Sequence, residues 1–338
     1  MENTIESIHS EAIIIDAHRD CYEQIHRHNM GESTPLHDHM IPRLQKGGVD
    51  LVIYAIGGDT LAHSNGSERP LRGVLENMDS YFRETEMENS KVVTVYSSDD
   101  LPERPTGKMY YVLSIEGGMP LEGEVATLRM LYRLGLRSIQ PTWNVRNELG
   151  EGVRERNHGT GLSKFGMQVM EEAQNLGMLV DVSHLSGPGV DDVLSIAKQP
   201  IIASHSNAAT LFNHPRNLTD ARIEGIAKTG GVVGVHFAPA YIHPESNSVE
   251  QLVDHIDYMV KLVGIDHVGI GPDFVKSDGP RPAREALYGG VHSRFIDGLE
   301  EIDELQTLTR ALLERGYSAA EISKIYGANF LRVLKQIL

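Results

Sequence analysis

Short apolar runs alternate with amphipathic segments along most of the chain, which has 338 residues. The runs are rich in valine and isoleucine and occupy residues 13–18, 49–56, 110–117, 136–143, 178–185, 200–206, 231–237 and 267–274. Strands that are apolar along their whole length are typical of parallel sheets covered on both faces. The pattern therefore predicts a series of buried parallel strands.

Helical segments separate many of these runs, at residues 124–135, 163–177, 189–198, 219–230 and 248–264. Ser163 and Thr219 stand where N-cap residues are expected. Glycines stand where helix C-termini are expected, at Gly135, Gly177, Gly230 and Gly264.

Strands that alternate with helices in this way predict a single (β/α)8 TIM barrel over residues 1–338. Strand 1 is expected near 13–18, strand 8 near 267–274, and C-terminal helices over 296–338. A doubly wound open sheet is the alternative fold. That fold normally has a glycine-rich turn after its first strand, and the segment DAHRDCYE at 16–23 is not such a turn.

Charge and hydropathy exclude several classes of protein. The net charge of −16, with no lysine or arginine cluster to offset it, disfavours a nucleic-acid partner. The apolar runs are too short for a membrane helix, and the N-terminus lacks the basic region of a signal peptide. We therefore expect a cytoplasmic protein. Cys21 is the only cysteine, which excludes an intrachain disulfide and a thiolate zinc cluster.

Histidine and carboxylate side chains recur at the ends of six of the predicted strands: His18, Asp20, Glu116, His184, His205, His236 and Asp273. In a barrel these ends converge on one mouth, where active sites of this fold lie. Neutral imidazoles and carboxylates are the ligands of Zn²⁺ and similar ions when thiolates are absent. Each residue alone could be a hydrogen-bonded core residue, a helix cap or a turn residue. Together they predict a metal site that activates water and polarises a carbonyl group.

The ordered motifs Asp-x-His-x-Asp, Ile-Glu-Gly-Gly, GLSKFG before DVSH, SHS, RN and GPDF resemble the membrane (renal) dipeptidase family, peptidase family M19. The resemblance runs from about residue 12 to the C-terminal segment GANFLRVL. It implies a barrel of the metallo-dependent hydrolase type, two zinc ions per subunit and a homodimer. The implied activity is hydrolysis of small dipeptides or dipeptide-like molecules, with a D-residue tolerated at the C-terminal side.

The resemblance also implies roles for individual residues. One zinc would be held by His18, Asp20 and Asp273 and the other by His184 and His205, with Glu116 bridging the two. Asp273 would also pass a proton from the attacking water to the leaving amine. Arg216, which taken alone would be an exposed loop residue, would bind the terminal carboxylate of the substrate.

The chain departs from the family pattern at positions expected to face the substrate. Trp143, followed by Asn144, stands where the family has a histidine that steadies the oxyanion. His236 replaces a common asparagine, and Ala238 replaces a tyrosine. We expect Trp143, Asn144 and His236 to line the substrate pocket; the alternative for Trp143 is a core position.

These departures leave other functions open. One is a metal-dependent hydrolase of another small carboxylated amide, such as a β-lactam, an N-acyl amino acid or a biosynthetic intermediate. Another is a metal-containing binding protein without turnover. Among the remaining histidines, His37 is expected at the surface, His158 at the pocket entrance, and His243 and His255 in solvent.

Overall fold

The computed structural model describes residues 2–60, 69–155, 159–274 and 295–338. Its strands are β1 (Ile14–Asp20), β2 (Val49–Gly58), β3 (Val92–Thr94), β4 (Met109–Glu116), β5 (Leu136–Gln140), β6 (Leu179–Val180), β7 (Ile202–Ala203), β8 (Val232–Val235) and β9 (Val268–Ile270). All pairings between these strands are parallel.

The strands follow one another around a barrel in the order β1-β2-β4-β5-β6-β7-β8-β9. A bridge between Asp181 and Ile202 joins β6 to β7, and β9 lies against β1. The predicted (β/α)8 barrel is therefore confirmed. The short strand β3 was not predicted; it pairs with β4 outside this circuit.

Helices surround the barrel at Glu2–Glu11, Tyr22–Asn29, Ile41–Lys46, Pro70–Thr85, Val125–Arg133, Lys164–Asn175, Gly187–Ser195, Asp220–Lys228, Val249–Val263, Gln306–Arg315, Ala319–Ser323 and Asn329–Ile337. Ser163 Oγ accepts a hydrogen bond from Gly166 N, as predicted for an N-cap. Thr219 occupies an N-cap position, but its side chain makes no capping bond. Among the described helices, none has both the length and the apolar character needed to cross a membrane.

Two strands are much shorter than predicted, because a side chain replaces their backbone ladder. Asp181 Oδ1 accepts hydrogen bonds from Ser183 N and Ser204 N, both at 2.9 Å. His205 N donates to Ser183 Oγ at 3.1 Å. Side-chain hydrogen bonds thus hold the segments that follow β6 and β7. Because these segments do not belong to a strand ladder, their backbones can turn into the barrel mouth.

The C-terminal region also differs from the prediction of helices over 296–338. Residues 295–305 form bends and one 3-10 turn, and the helix begins at Gln306. A π-helical turn, Lys324–Ala328, precedes the last helix. Phe330 of that helix packs with inward-facing apolar residues of the strands, and a side chain at Gly269 would collide with its ring. The last helix therefore closes one end of the barrel, and the opposite end is left for the site.

One polar residue takes a position other than the one predicted from local pattern. His255 is buried and not in solvent: its Nδ1 accepts from Ala208 N at 3.2 Å, and its Nε2 lies 3.1 Å from Ile242 O. Because both ring nitrogens have backbone hydrogen-bond partners, the hydration that this imidazole loses on burial is compensated. Cys21 is buried, with Asn77 Nδ2 3.9 Å from its sulfur.

Candidate metal centre

Imidazole and carboxylate side chains meet at the carboxyl ends of the barrel strands. They come from β1, from β4 and from the segments after β6, β7, β8 and β9: His18, Asp20, Glu116, His184, His205, His236 and Asp273. All of them are buried or nearly so. The structure thus brings together the strand-end residues that the sequence singled out.

Three imidazoles surround one carboxylate oxygen. Glu116 Oε1 lies 3.0 Å from His184 Nε2. The same oxygen lies 3.4 Å from His18 Nε2 and 3.7 Å from His205 Nε2. Residues on four different strands or strand ends therefore converge on a single point.

The nitrogens that face Glu116 fit a metal ion. His18 Nε2 and His205 Nε2 are buried and have no hydrogen-bond partner within the part of the chain that the structure describes. Buried polar atoms normally have partners, and such nitrogens beside carboxylates are suited to a divalent cation. His18 also forms a ligand group with Asp20 and Asp273, whose ligand atoms lie within 4.8 Å of one another. The donor set is that of a site for a divalent metal ion.

Hydrogen bonds on the far edges of the His184 and His205 imidazoles orient these two rings toward Glu116. His184 Nδ1 lies 2.9 Å from Asn144 Oδ1, and His205 Nδ1 lies 2.7 Å from Ser204 Oγ. Such bonds fix the ring of a metal ligand and select its tautomer. Asn144, which was expected to face the substrate, is placed behind His184 in this structure.

Burial and mutual charge set the protonation of the cluster. Burial raises the pKa of Glu116 well above its usual range and lowers the pKa of His205 well below it. Burial also acts to lower the pKa of His18, but the charges of Glu116, Asp20 and Asp273 outweigh it and raise this pKa to about 10. The carboxylates of the cluster thus stabilise positive charge on His18, whereas His205 is held neutral.

Two of the converging residues have unusual backbone conformations. His184 has φ +66° and Asp273 has φ +52°, both in the left-handed region. For residues other than glycine this region costs on the order of 1–3 kcal/mol, and such strain concentrates at functional sites. These conformations direct the side chains of His184 and Asp273 toward the cluster, although the strands before them have already ended.

Arginine and aromatic side chains lie next to the histidines. Arg216 is buried, and its Nη2 lies 3.1 Å from His184 Nε2 and 3.2 Å from His205 O. The ring of Tyr241 faces the Arg216 guanidinium, whose carbon lies 5.5 Å from the ring centroid. Trp143 is partly exposed, with its ring centroid 6.0 Å from that of His184. Tyr241 was missed from sequence because it follows its strand by six residues.

Asp59 is a second residue that the sequence reasoning missed. Its backbone N–H donates to Glu116 O at 3.0 Å, and its Oδ1 accepts from Met119 N at 2.9 Å. Its Oδ2 accepts from Trp143 N at 3.0 Å and from Asn147 Nδ2 at 2.8 Å. The strand-end rule would have found it, but the strand was predicted to end at residue 56, whereas β2 continues to Gly58.

Arg19 stands between His18 and Asp20 in sequence but binds a different set of carboxylates. Its Nε lies 3.1 Å from Asp16 Oδ2, and its Nη2 lies 3.1 Å from Glu301 Oε1. Its Nη1 also donates to Phe274 O at 3.4 Å. Asp16 can therefore be buried inside β1 because Arg19 neutralises its charge. Arg19 also connects β1 to Phe274, the residue that follows Asp273.

Other histidines have partners elsewhere. His37 Nε2 lies 3.0 Å from Glu84 O, and His39 Nε2 lies 2.8 Å from Glu32 Oε2. His158, expected at the pocket entrance, lies outside the described residues.

The barrel and the cluster at its mouth define a metal-dependent hydrolase of the (β/α)8 class. The family model for membrane dipeptidase, peptidase family M19, matches residues 2–338. The chain belongs to this family, and it is a metallo-dipeptidase by class.

Two individual relatives are similar to this chain over most of its length. An uncharacterised protein of the pqqA 5′ region of Klebsiella pneumoniae is 34% identical over 236 residues, which cover 67% of this chain and 81% of the relative. Dipeptidase tcpJ of Claviceps purpurea is 29% identical over 79% of this chain, which spans 60% of that relative's length.

Solved structures share the fold. A metallopeptidase of Rhodobacter sphaeroides, liganded with a phosphinate mimic of the dipeptide L-Ala-D-Ala, has a TM-score of 0.82 at 22% identity and covers 97% of this chain and 100% of its own. The probable dipeptidase PvdM of Pseudomonas aeruginosa has a TM-score of 0.80 at 22% identity, with 99% and 98% covered.

Proposed function

We propose that the protein is a binuclear zinc dipeptidase that hydrolyses small dipeptides or dipeptide-like molecules and tolerates a D-residue at the C-terminal side. The observation that carries this proposal is the convergence of His18, His184 and His205 on one oxygen of Glu116. The dipeptide mimic bound by the Rhodobacter sphaeroides relative supports the substrate class.

The ligands divide into two sets around Glu116. His18, Asp20 and Asp273 would hold one zinc, His184 and His205 the other, and Glu116 would contact both. When bound, the ions supply Lewis-acid activation of water and of the substrate carbonyl. Arg216 Nη2 now lies 3.1 Å from His184 Nε2, so Arg216 must give up this contact when His184 binds an ion.

Side chains of the protein would carry out the proton transfer and the binding of the substrate. Asp273 would accept the proton of the attacking water and deliver it to the leaving amine, as a general base and then a general acid. Arg216, once released from His184, would bind the substrate carboxylate through its planar guanidinium. Trp143 and Tyr241 would enclose the substrate, since both rings lie beside this cluster.

A second candidate function keeps the same centre and changes the substrate. Trp143 lies beside His184, and Ala238 carries only a methyl group, so two polar groups of the family pattern are absent from these positions. This pocket would suit another small carboxylated amide, such as a β-lactam or an N-acyl amino acid.

The first experiment measures metal by mass spectrometry in protein purified without chelators, and turnover of L,L and L,D dipeptides, β-lactams and N-acyl amino acids. Two zinc ions per chain and dipeptide turnover are expected. His18→Ala should lose zinc and activity, whereas the control His39→Ala should keep both, because His39 contacts Glu32 away from the centre. Metal-replete protein without dipeptide turnover would reject the dipeptidase proposal, and turnover of another amide alone would select the second candidate.

We further propose a single domain, a homodimer and a cytoplasmic location, which family resemblance supports. Sedimentation analysis of the purified protein tests the homodimer, and a monomer at micromolar concentration would contradict it. One cooperative unfolding transition is expected if residues 1–338 form a single domain.

A further inference from the structure

His236 and Asp273 meet where β8 and β9 end. His236 Nε2 lies 3.0 Å from Asp273 Oδ2, and both side chains are buried or nearly so. Together with His205, they also form a group whose ligand atoms lie within 4.8 Å of one another. His236 could therefore be a metal ligand or a hydrogen-bond donor, and the two roles need different tautomers.

The backbone decides the tautomer of His236. Ala238 N donates a hydrogen bond to His236 Nδ1 at 2.8 Å. A nitrogen that accepts this bond carries a lone pair, so in the neutral imidazole the proton is on Nε2. Nε2 therefore has an N–H to donate, and the carboxylate oxygen Asp273 Oδ2 accepts it. A ligand to a metal would instead need the lone pair on Nε2.

The backbone of His236 is held by Asn207, and its ring is packed between two other rings. Asn207 Oδ1 accepts from His236 N, and Asn207 Nδ2 donates to His236 O, each at 3.0 Å. The ring lies between those of His205 and Tyr241, with centroid distances of 5.3 Å and 5.0 Å. The donor at Nε2 thus points at Asp273 without freedom to turn away.

We infer that His236 is a positioning residue that fixes the carboxylate of Asp273 by donating a hydrogen bond from Nε2, and that it does not bind metal. The catalytic consequence rests on the proposed function, in which Asp273 moves the proton. One oxygen of Asp273 is held by the imidazole, and its backbone is fixed in the left-handed region. The second oxygen, which in the proposed function would also hold the zinc, therefore keeps one direction relative to the substrate, and proton transfer at a defined atom requires such a fixed direction.

The tautomer can be measured without activity. Protein labelled with ¹⁵N-histidine is loaded with zinc, and the His236 signals are assigned by their loss in His236→Phe. The expected spectrum has a protonated Nε2 and an unprotonated Nδ1. The zinc content of His236→Phe should equal that of the wild type. A metal-bound Nε2 signal, or the loss of one zinc ion in this variant, would overturn the inference.

Kinetics then separate positioning from packing. His236→Phe keeps an aromatic ring but has no donor, whereas His236→Gln can place an amide N–H at about the reach of Nε2. We expect His236→Phe to lower kcat by about 10- to 100-fold at nearly unchanged KM, and His236→Gln to recover most of this loss. Equal losses in both variants, or a change in KM alone, would contradict the positioning role. If the wild type turns over no dipeptide, the proposed function fails, while the NMR spectrum and zinc content still decide the role of His236.

Discussion

The indole ring of Trp143 lies beside the imidazole of His184, with the ring centroids 6.0 Å apart and the planes inclined by 31°. The only tryptophan of the chain is therefore next to the candidate metal centre, although a core position was the alternative. Its backbone N–H is held by Asp59 Oδ2 at 3.0 Å. The shape of the pocket beside His184 thus depends on one side chain and the carboxylate that anchors it.

Replacement of Trp143 tests how this ring affects substrate choice. Trp143→His restores a polar group that can donate to the developing oxyanion, so kcat/KM for Ala-Ala dipeptides should rise about tenfold. Trp143→Phe keeps an aromatic wall without a donor and should leave kcat close to that of the wild type. Both are measured on the same L,L and L,D panel. A Trp143→His variant indistinguishable from Trp143→Phe would show that a missing donor does not limit turnover.

Asp59 should matter for both stability and substrate binding. Asp59→Ala leaves the N–H groups of Met119 and Trp143 without their acceptor, so we expect a loss of about 2–4 kcal/mol in the free energy of unfolding. KM should also rise, since the loop of Trp143 loses its anchor. Asp59→Asn keeps one acceptor oxygen and should lie between Asp59→Ala and the wild type. Urea denaturation and steady-state kinetics give the two quantities, and an unchanged KM in Asp59→Ala would refute the anchoring role.

The buried group around Arg19 should be far more sensitive than an exposed ion pair. Arg19→Met leaves Asp16 buried without its cation and leaves Glu301 with only Arg43, whose Nη1 lies 3.7 Å from Glu301 Oε2, so we expect a loss of about 3–5 kcal/mol in the free energy of unfolding. The control Arg72→Met removes a surface pair with Glu76 and should leave stability nearly unchanged. Similar losses in the two variants, measured by urea denaturation, would contradict this difference.

Asp50 should make stability depend on pH. Burial raises the pKa of Asp50 to about 6, although its Oδ2 accepts a hydrogen bond from Ile14 N. Between about pH 4 and pH 6, Asp50 keeps its proton in the folded state but has lost it in the unfolded chain. The contribution of Asp50 to the free energy of unfolding therefore falls as pH rises from about 4 to about 6, and it stays lower above pH 6.

Asp50→Asn removes this penalty and keeps an acceptor for Ile14 N. The variant should exceed the wild type by about 2 kcal/mol in the free energy of unfolding at pH 8, and the gain should vanish near pH 4. Urea titrations at both pH values measure the difference, with the exposed substitution Asp79→Asn as control. A gain that is equal at pH 4 and pH 8 would rule out burial of the charge as its cause.

The barrel could be predicted because each of its strands is a continuous apolar run, and the cluster because His18, Glu116 and Asp273 stand within three residues of a strand end. The short strands β6 and β7 could not be predicted, since Asp181 reaches across to Ser204 and replaces the backbone ladder. The burial of His255 was missed for a related reason, since its partners Ala208 N and Ile242 O are backbone groups distant in sequence and no local hydrophobic pattern predicts such bonds. Asp59 was missed because β2 was predicted to end two residues too early.

The strands β1 and β9, which lie side by side, come from opposite ends of the chain. During synthesis, His18 leaves the ribosome long before Asp273, and Arg19 long before its partner Glu301. A growing chain therefore carries exposed acidic and imidazole groups with no formed centre. Closure of the barrel and completion of the centre both require β9 and Asp273, so neither can precede synthesis of that part of the chain.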